Sequence, residues 1–467
     1  MRKLAAVLPC LVLIGAAPPP SPDAQLRAII APVSAASLKS FDGKLVSFGT
    51  RHTLSSQTDP KRGIGAALAW AKSEFESDGL PTVEPCQTMT GERLPGPTRI
   101  CDMVAIQRGT ERPNDVVIIT AHIDSRVTDV MNANAFEPGA NDDGSGVSAI
   151  LEAARVLSRH KFPGTIVYSL DSGEEQGLYG GRVIAEYAKA QGWNVIADLN
   201  NDIIGNSCGS DGLCDSTHAR VLSEGPRSQG ETELMAATHS LGGENDSPSR
   251  NISRFLDSLA DRLHIGLDVR QIWRTDRFGR GGDQIEFLKL GFPAARISVA
   301  VENYNWQHQD VRVENGIHYG DTIDHVDFAY LARMTKLNAA ALAAIASAPP
   351  PPAPKVEGAV STDTTIGWAP VQGAVRYIVR WRPTDASNWT QQLIVRQACG
   401  WTIYTPDSAL AGFKDRPCLI ILKHIRVDDW VFGVSSVGAN GFESPVASAV
   451  PGGAFKPYVA PPKNPSP

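Results

Sequence analysis

The chain has 467 residues, of which 42% are apolar and 20% charged, the balance of a globular protein with room for two or three domains. Its net charge of −6 is spread along the sequence without a long basic run. Nucleic acid and anionic membrane surfaces are therefore poor candidates for its main partner.

The first residues read as an export signal. Arg2 and Lys3 precede an apolar run from Leu4 to Ile14, followed by the small residues Gly15, Ala16 and Ala17. The run is too short to span a bilayer, so no integral membrane segment is expected. Residues 1–17 are assigned to the signal, with cleavage between 16 and 24, and a secreted or periplasmic location follows. The cysteines agree with export. Beyond Cys10 there are six: Cys86, Cys101, Cys208, Cys214, Cys399 and Cys418. They are even in number, fall into three neighbouring pairs and lack C-x-x-C spacing, which points to disulfides rather than metal thiolates. Other pairings remain open.

From residue 25 to 347 apolar runs alternate with helical patterns. Val116–Thr120, Thr165–Leu170, Asn194–Leu199 and Arg296–Val301 read as buried strands. Between the first two, Val147, Ile150, Leu151, Ala154 and Leu157 recur on one helical face. The expected class is α/β: a mixed sheet with a mostly parallel core, sandwiched by helices. Residues 348–354 form a proline-rich linker that favours extended geometry. Beyond it, from 355 to 455, Thr365–Trp368, Val375–Trp381 and Trp430–Val437 suggest a small antiparallel sandwich. Residues 456–467 form a proline-rich, disordered tail.

Polar clusters follow each predicted strand of the first domain. His122 and Asp124 follow the first, and Gly139-Ala-Asn-Asp142-Asp143-Gly-Ser-Gly146 opens the next helix. Glu174 and Glu175 follow the second strand, Asp202 the third, and Tyr304-Asn-Trp-Gln-His308 the fourth. Singly these are surface pairs, helix caps and turn residues. Jointly they put imidazoles and carboxylates at the strand ends where α/β sheets bind ligands. Such donors suit zinc. Two zinc ions and one bridging hydroxide would be neutralised by Asp142, Glu175 and Asp202, with His122 and His308 as uncharged ligands. One carboxylate, Glu174, is left over for proton transfer.

In their order these segments resemble the M28 zinc peptidases, over roughly Phe41 to Ala344. The matching features are His-x-Asp, Gly-x-Asn-Asp-Asp-Gly-Ser-Gly, Glu-Glu-x-Gly, the strand-end Asp202, and Gly291-Phe-Pro-Ala294. The resemblance implies that Asp142 bridges both metals and that the peptide bond after it is cis. It makes His122 and Asp202 ligands of one zinc, and Glu175 and a late histidine ligands of the other. It makes Glu174 the general base and Asp124 the carboxylate that orients the His122 ring. The family places its last histidine in Tyr-His followed by three residues and Asp-Thr. Here His318 lies one residue too close to Asp321-Thr322, so His308 is preferred, with an insertion from Asp310 to Gly320 displacing the Asp-Thr pair. The other histidines read as surface or packing residues.

The C-terminal region resembles a fibronectin type III domain through Gly367-Trp368, Tyr377–Trp381 and Gly433–Gly441. The expected function is hydrolysis of N-terminal residues from peptide or protein substrates by an exported aminopeptidase with two zinc ions. A carboxypeptidase, a glutaminyl cyclase with a single zinc, and a non-catalytic adhesion protein are the alternatives. The full set of five ligand positions argues against the last two.

Overall fold

The runs read as strands form the centre of an eight-stranded sheet in the computed structural model, which describes residues 20–225, 243–396, 399 and 418–449. The expected signal and C-terminal tail lie outside the described residues. In chain order the strands are β1 (Thr82–Val83), β2 (Met103–Gln107), β3 (Arg112–His122) and β4 (Gly164–Asp171). They continue with β5 (Asn194–Asn201), β6 (His218–Ser223), β7 (Asp268–Ile272) and β8 (Ala294–Val299). Across the sheet they lie in the order β1-β2-β4-β3-β5-β8-β6-β7. Neighbours from β4 to β8 pair in parallel, while β1–β2, β2–β4 and β8–β6 pair antiparallel.

The helices are α1 (Pro22–Ile30), α2 (Ala35–Ser47), α3 (Ile64–Ser77), α4 (Gly144–Leu157) and the single turn α5 (Glu174–Gly177). After them come α6 (Tyr179–Ala190), α7 (Pro248–Leu263), α8 (Gln284–Lys289) and α9 (Phe328–Ser347). Strand β3 shows why helices cover both faces. Val117, Ile119 and Ala121 point into a core with α4 and α9, whereas Val116 and Ile118 point into a second core with α6 and α8. A strand apolar on both faces must be buried on both. Helix α4 starts where Asp143 caps the Gly146 N–H at 3.0 Å and buries Ile150 and Leu151 completely or nearly so. Leu151→Ala would cost about 2–5 kcal/mol.

The C-terminal region holds two antiparallel sheets. One contains Lys355–Glu357, Thr364–Trp368 and Cys418–Leu422, and the other Ala374–Pro383, Gln391–Val395, Trp430–Gly438 and Ala447–Ala449. Val356, Ile366 and Trp368 from the first share a core with Tyr377, Val379, Phe432 and Val434 from the second. The predicted strands therefore lie face to face. The proline-rich linker at 348–354 is packed against its neighbours. Helix α9 runs to Ser347, and the following prolines are partly buried, with Pro350 O accepting from Ser436 Oγ at 2.7 Å. Arg382 donates to both oxygens of Asp246 at 2.7 and 2.6 Å, and both side chains are buried. The disulfides pair Cys86–Cys101, Cys208–Cys214 and Cys399–Cys418. Among the described residues no helix is long and apolar enough to cross a membrane.

Candidate metal centre

Adjacent parallel strands deliver their carboxyl ends to one point above the sheet. His122 is the last residue of β3, Asp202 follows β5 by one residue, and α5 begins three residues after β4. The turns there need unusual backbone. Gly173 sits at φ 77° just before Glu174, while Ile203 and His308 adopt φ 58° and 57°. A β-branched residue in that region is strained and must be held by its surroundings. Space is also short: a Cβ on Gly144 would lie 2.6 Å from Asp42 Oδ1. The Asp142–Asp143 peptide bond is cis.

The predicted ligands meet in two groups that share one residue. His122, Asp142 and Asp202 form the first, and Asp142, Glu175 and His308 the second. Asp142 turns Oδ1 to His122 Nε2 at 3.0 Å and Oδ2 to His308 Nε2 at 2.9 Å. His122 Nε2 lies 3.9 Å from Asp202 Oδ1, and His308 Nε2 lies 2.9 Å from Glu175 Oε1. Ligand atoms about 2.0–2.2 Å from a tetrahedral zinc are roughly 3.4 Å apart, so this spacing suits one ion per group. Among the described residues Glu175 Oε1 is buried and meets no well-aligned hydrogen-bond donor despite that short approach. An orphaned carboxylate oxygen facing an imidazole is what a cation site leaves when only protein atoms are counted. Glu174 lies alongside, within reach of both His122 and Glu175.

His318 is not brought in. It lies exposed on the hairpin Arg312–Glu314/Ile317–Tyr319, which occupies the expected insertion. Trp306 stacks on His325 with ring centroids 4.0 Å apart and pins the loop that carries His308. Two further acidic or thiol groupings carry no comparable chemistry. Asp257, Asp261 and Asp268 are partly exposed carboxylates without an imidazole, and the cysteines beside Glu84 are disulfide-bonded.

The electrostatics of the cluster favour positive charge between its carboxylates. Burial alone would lower the His122 pKa, but Asp124, Asp142 and Asp202 push it well above its usual value. Burial likewise opposes the rise at His308, which Glu175 and Asp142 carry to about 10. Burial would raise Asp202, yet Arg296, His122 and Arg277 hold it below the ordinary carboxylate range. The carboxylates around both imidazoles thus favour positive charge at these two positions. Glu174 behaves differently: burial, reinforced by Glu175, Asp202 and Asp124, lifts it to about 8 against the pull of His122.

Residues not singled out as site residues from the sequence hold the ligands in place. Asp321 accepts from the Asn141 N–H at 2.9 Å and the Asp142 N–H at 2.7 Å. Asp143 accepts from the His122 N–H at 3.2 Å and the Ile203 N–H at 3.3 Å, tying β3, β5 and α4 together. Arg296, fully buried on β8, reaches Asp202 Oδ2 at 2.7 Å. The Asp-Thr pair was a visible signal for Asp321, whereas Arg296 looked like any residue of a buried strand. Asp124 approaches the His122 ring and also holds the turn beside it. Its carboxylate is 3.6 Å from His122 Nδ1, which instead contacts the Asp124 carbonyl at 3.1 Å. The carboxylate accepts from Thr53 Oγ1 at 2.8 Å and from the Glu174 and Glu175 N–H groups at 3.3 and 3.2 Å. It therefore fixes the α5 turn more directly than the ring.

The centre opens into a cleft of about 950 Å³ whose walls include Glu92, Arg93, Tyr179, Arg280 and Tyr304. The model of peptidase family M28 matches residues 102–342, which contain all five grouped ligands. A protein of Pyrenophora teres f. teres described as a probable zinc metalloprotease is 41% identical, over 93% of this chain and 88% of its own length. Another of that description, from Leptosphaeria maculans, is 39% identical over 93% of this chain and 98% of its own. The LapA aminopeptidase of Legionella pneumophila shares the fold, with a TM-score of 0.51 and 21% identity over 70% of this chain and 75% of that one. On the strength of the family match and these extended similarities, the chain belongs to peptidase family M28.

Proposed function

We propose that this chain is an exported aminopeptidase that uses two zinc ions to hydrolyse the first peptide bond of its substrates. The observation that carries the reading is the division of Asp142 between two imidazole-carboxylate groups, one oxygen to each. His122, Asp142 and Asp202 would hold one ion; Asp142, Glu175 and His308 the other. When bound, the ions would polarise the scissile carbonyl and acidify water.

The protein's own groups supply the proton transfers. Glu174 is anchored by its N–H to Asp124 and is not needed as a ligand, so it takes a proton from water and delivers it to the departing amine. Burial raises its pKa to about 8, and divalent charge beside it would bring it down toward neutrality, where a carboxyl exchanges protons readily. Asp124 and Asp321 position the α5 turn and the Asp142 backbone. The three disulfides favour an oxidising compartment.

The test is hydrolysis of aminoacyl-anilides, with matched N-blocked analogues, before and after chelation and zinc return. Activity that vanishes with chelator, returns with zinc and needs a free amine supports the reading. Glu174→Gln should retain two ions per chain while kcat falls about 10²–10⁴-fold. Full activity in that variant would remove Glu174 from the chemistry.

A further inference from the structure

Four arginines from three loops line the cleft around the metal centre: Arg93, Arg126, Arg277 and Arg280. Two are committed to protein partners. Arg277 bonds to Asp276 Oδ1 at 3.0 Å, Glu302 Oε2 at 3.3 Å and Gly281 O at 3.1 Å. Arg126 Nη2 bonds to His308 Nδ1 at 2.7 Å, and its Nε lies 3.0 Å from Glu175 Oε2. The other two keep free donors. Arg280 Nη1 reaches Glu302 Oε2 at 2.8 Å and Gln307 Oε1 at 3.2 Å, leaving Nε and Nη2 without a partner among the described residues. Among the described residues exposed Arg93 donates only from Nη1, to Glu175 O at 2.8 Å.

Glu302 is shared by Arg220 at 2.6 Å, Arg277 and Arg280, so Arg280 has only part of one carboxylate. The free donors of Arg93 and Arg280 face a cleft where protein walls weaken screening. A guanidinium fork with two free N–H groups matches a carboxylate edge to edge.

We propose that the cleft selects substrates carrying a carboxylate close to the scissile bond, held by the free N–H groups of Arg93 and Arg280. The inference rests on the peptidase reading above and names the substrate class for it. The carboxylate has two possible sources, an acidic side chain or the free C-terminus of a short peptide.

The experiment uses the full zinc-loaded chain and four peptides: Leu-Ala-amide, Leu-Ala, Leu-Gln-amide and Leu-Glu-amide. A carboxylate should raise kcat/KM about tenfold, mainly through KM, as one forked ion pair would. Preference for Leu-Ala over its amide identifies the terminal carboxylate, and preference for Leu-Glu-amide over Leu-Gln-amide the side chain. In the Arg93→Ala/Arg280→Ala protein either ratio should fall to within twofold of one, and the lysine pair should give an intermediate ratio. Melting temperature and zinc content establish that each variant is folded and loaded. The same peptides are titrated calorimetrically into zinc-loaded Glu174→Gln, where carboxylate peptides should bind more tightly. Equal handling of all four peptides, or a preference that survives removal of both arginines, overturns the proposal while leaving the peptidase reading intact. Absence of any hydrolysis with a carboxylate preference in calorimetry sinks the peptidase reading and keeps this one.

Discussion

Asp321 offers the sharpest link between packing and metal binding. Its two oxygens accept from the N–H groups of Asn141 and Asp142 at 2.7–2.9 Å, in a site where the side chain is buried. Asp321→Ala leaves both N–H groups without a partner, and each unsatisfied buried donor costs about 1–3 kcal/mol. Allowing for partial relaxation, we expect a loss of roughly 2–5 kcal/mol in unfolding free energy. The effect on metal should be double, because Asp142 faces both ligand groups. Removal of a supporting partner weakens a metal site about 10–100-fold, so both sites should weaken together. Asp321→Asn retains one oxygen and should fall between wild type and alanine. Burial, with Asp142 beside it, raises the Asp321 pKa to about 7 against the two N–H bonds, so this group's contribution to folding stability is greatest below about pH 4 and declines as pH rises toward 7. Urea unfolding and zinc competition against a chromophoric chelator measure the two effects, with Glu314→Ala on the exposed hairpin as a control. A loss below about 1 kcal/mol with unchanged zinc affinity would refute the clamp.

Further outcomes are expected. His308→Ala should reduce bound zinc from two ions toward one per chain, whereas His318→Ala should keep both; elemental analysis of each decides. Zinc affinity should rise with pH, because the ion must displace protons from His122, held well above its usual pKa, and from His308, at about 10. A chelator competition series at constant ionic strength that shows no pH dependence contradicts this. Glu137 is buried, and burial raises its carboxyl to about 8 against the opposing pull of Thr50 and Arg51. The folded state therefore holds this proton more tightly than the unfolded one, so the stabilisation is complete below about pH 4.5 and lost as pH climbs toward 8. Glu137→Gln should accordingly gain in melting temperature relative to wild type between pH 5 and pH 8.

Much of the α/β core was legible because periodicity and burial have the same cause. The runs in β3, β4, β5 and β8 lack polar residues over most of their length because helices cover both faces of each. The ligands were legible because His122, Asp142, Glu175 and Asp202 sit in short motifs whose order follows the strand order. His308 required the distance from Ala294, since a hairpin had moved the later Asp-Thr pair. What could not be read is the packing that links distant segments. Asp143 looked like a helix cap, which it is, but nothing local announces that it also holds β3 and β5. Asp124 was assigned to the His122 ring from motif alone, and only the fold turns its oxygens toward α5. Nor does a proline run reveal whether it floats or is clamped.

The contact between Arg382 and Asp246 has a consequence for how the protein can be divided. The carboxylate is buried on the peptidase side, and the guanidinium that answers it arrives from the C-terminal sheets. A chain ending at residue 347 would take Arg382 from Asp246, leaving Arg254 at 4.0 Å beside it, and would open to water the surface that the C-terminal sheets cover. The two regions should therefore melt in a single calorimetric transition, and the catalytic half should be hard to prepare alone in soluble form. Anyone trimming this protein for crystallisation should cut elsewhere.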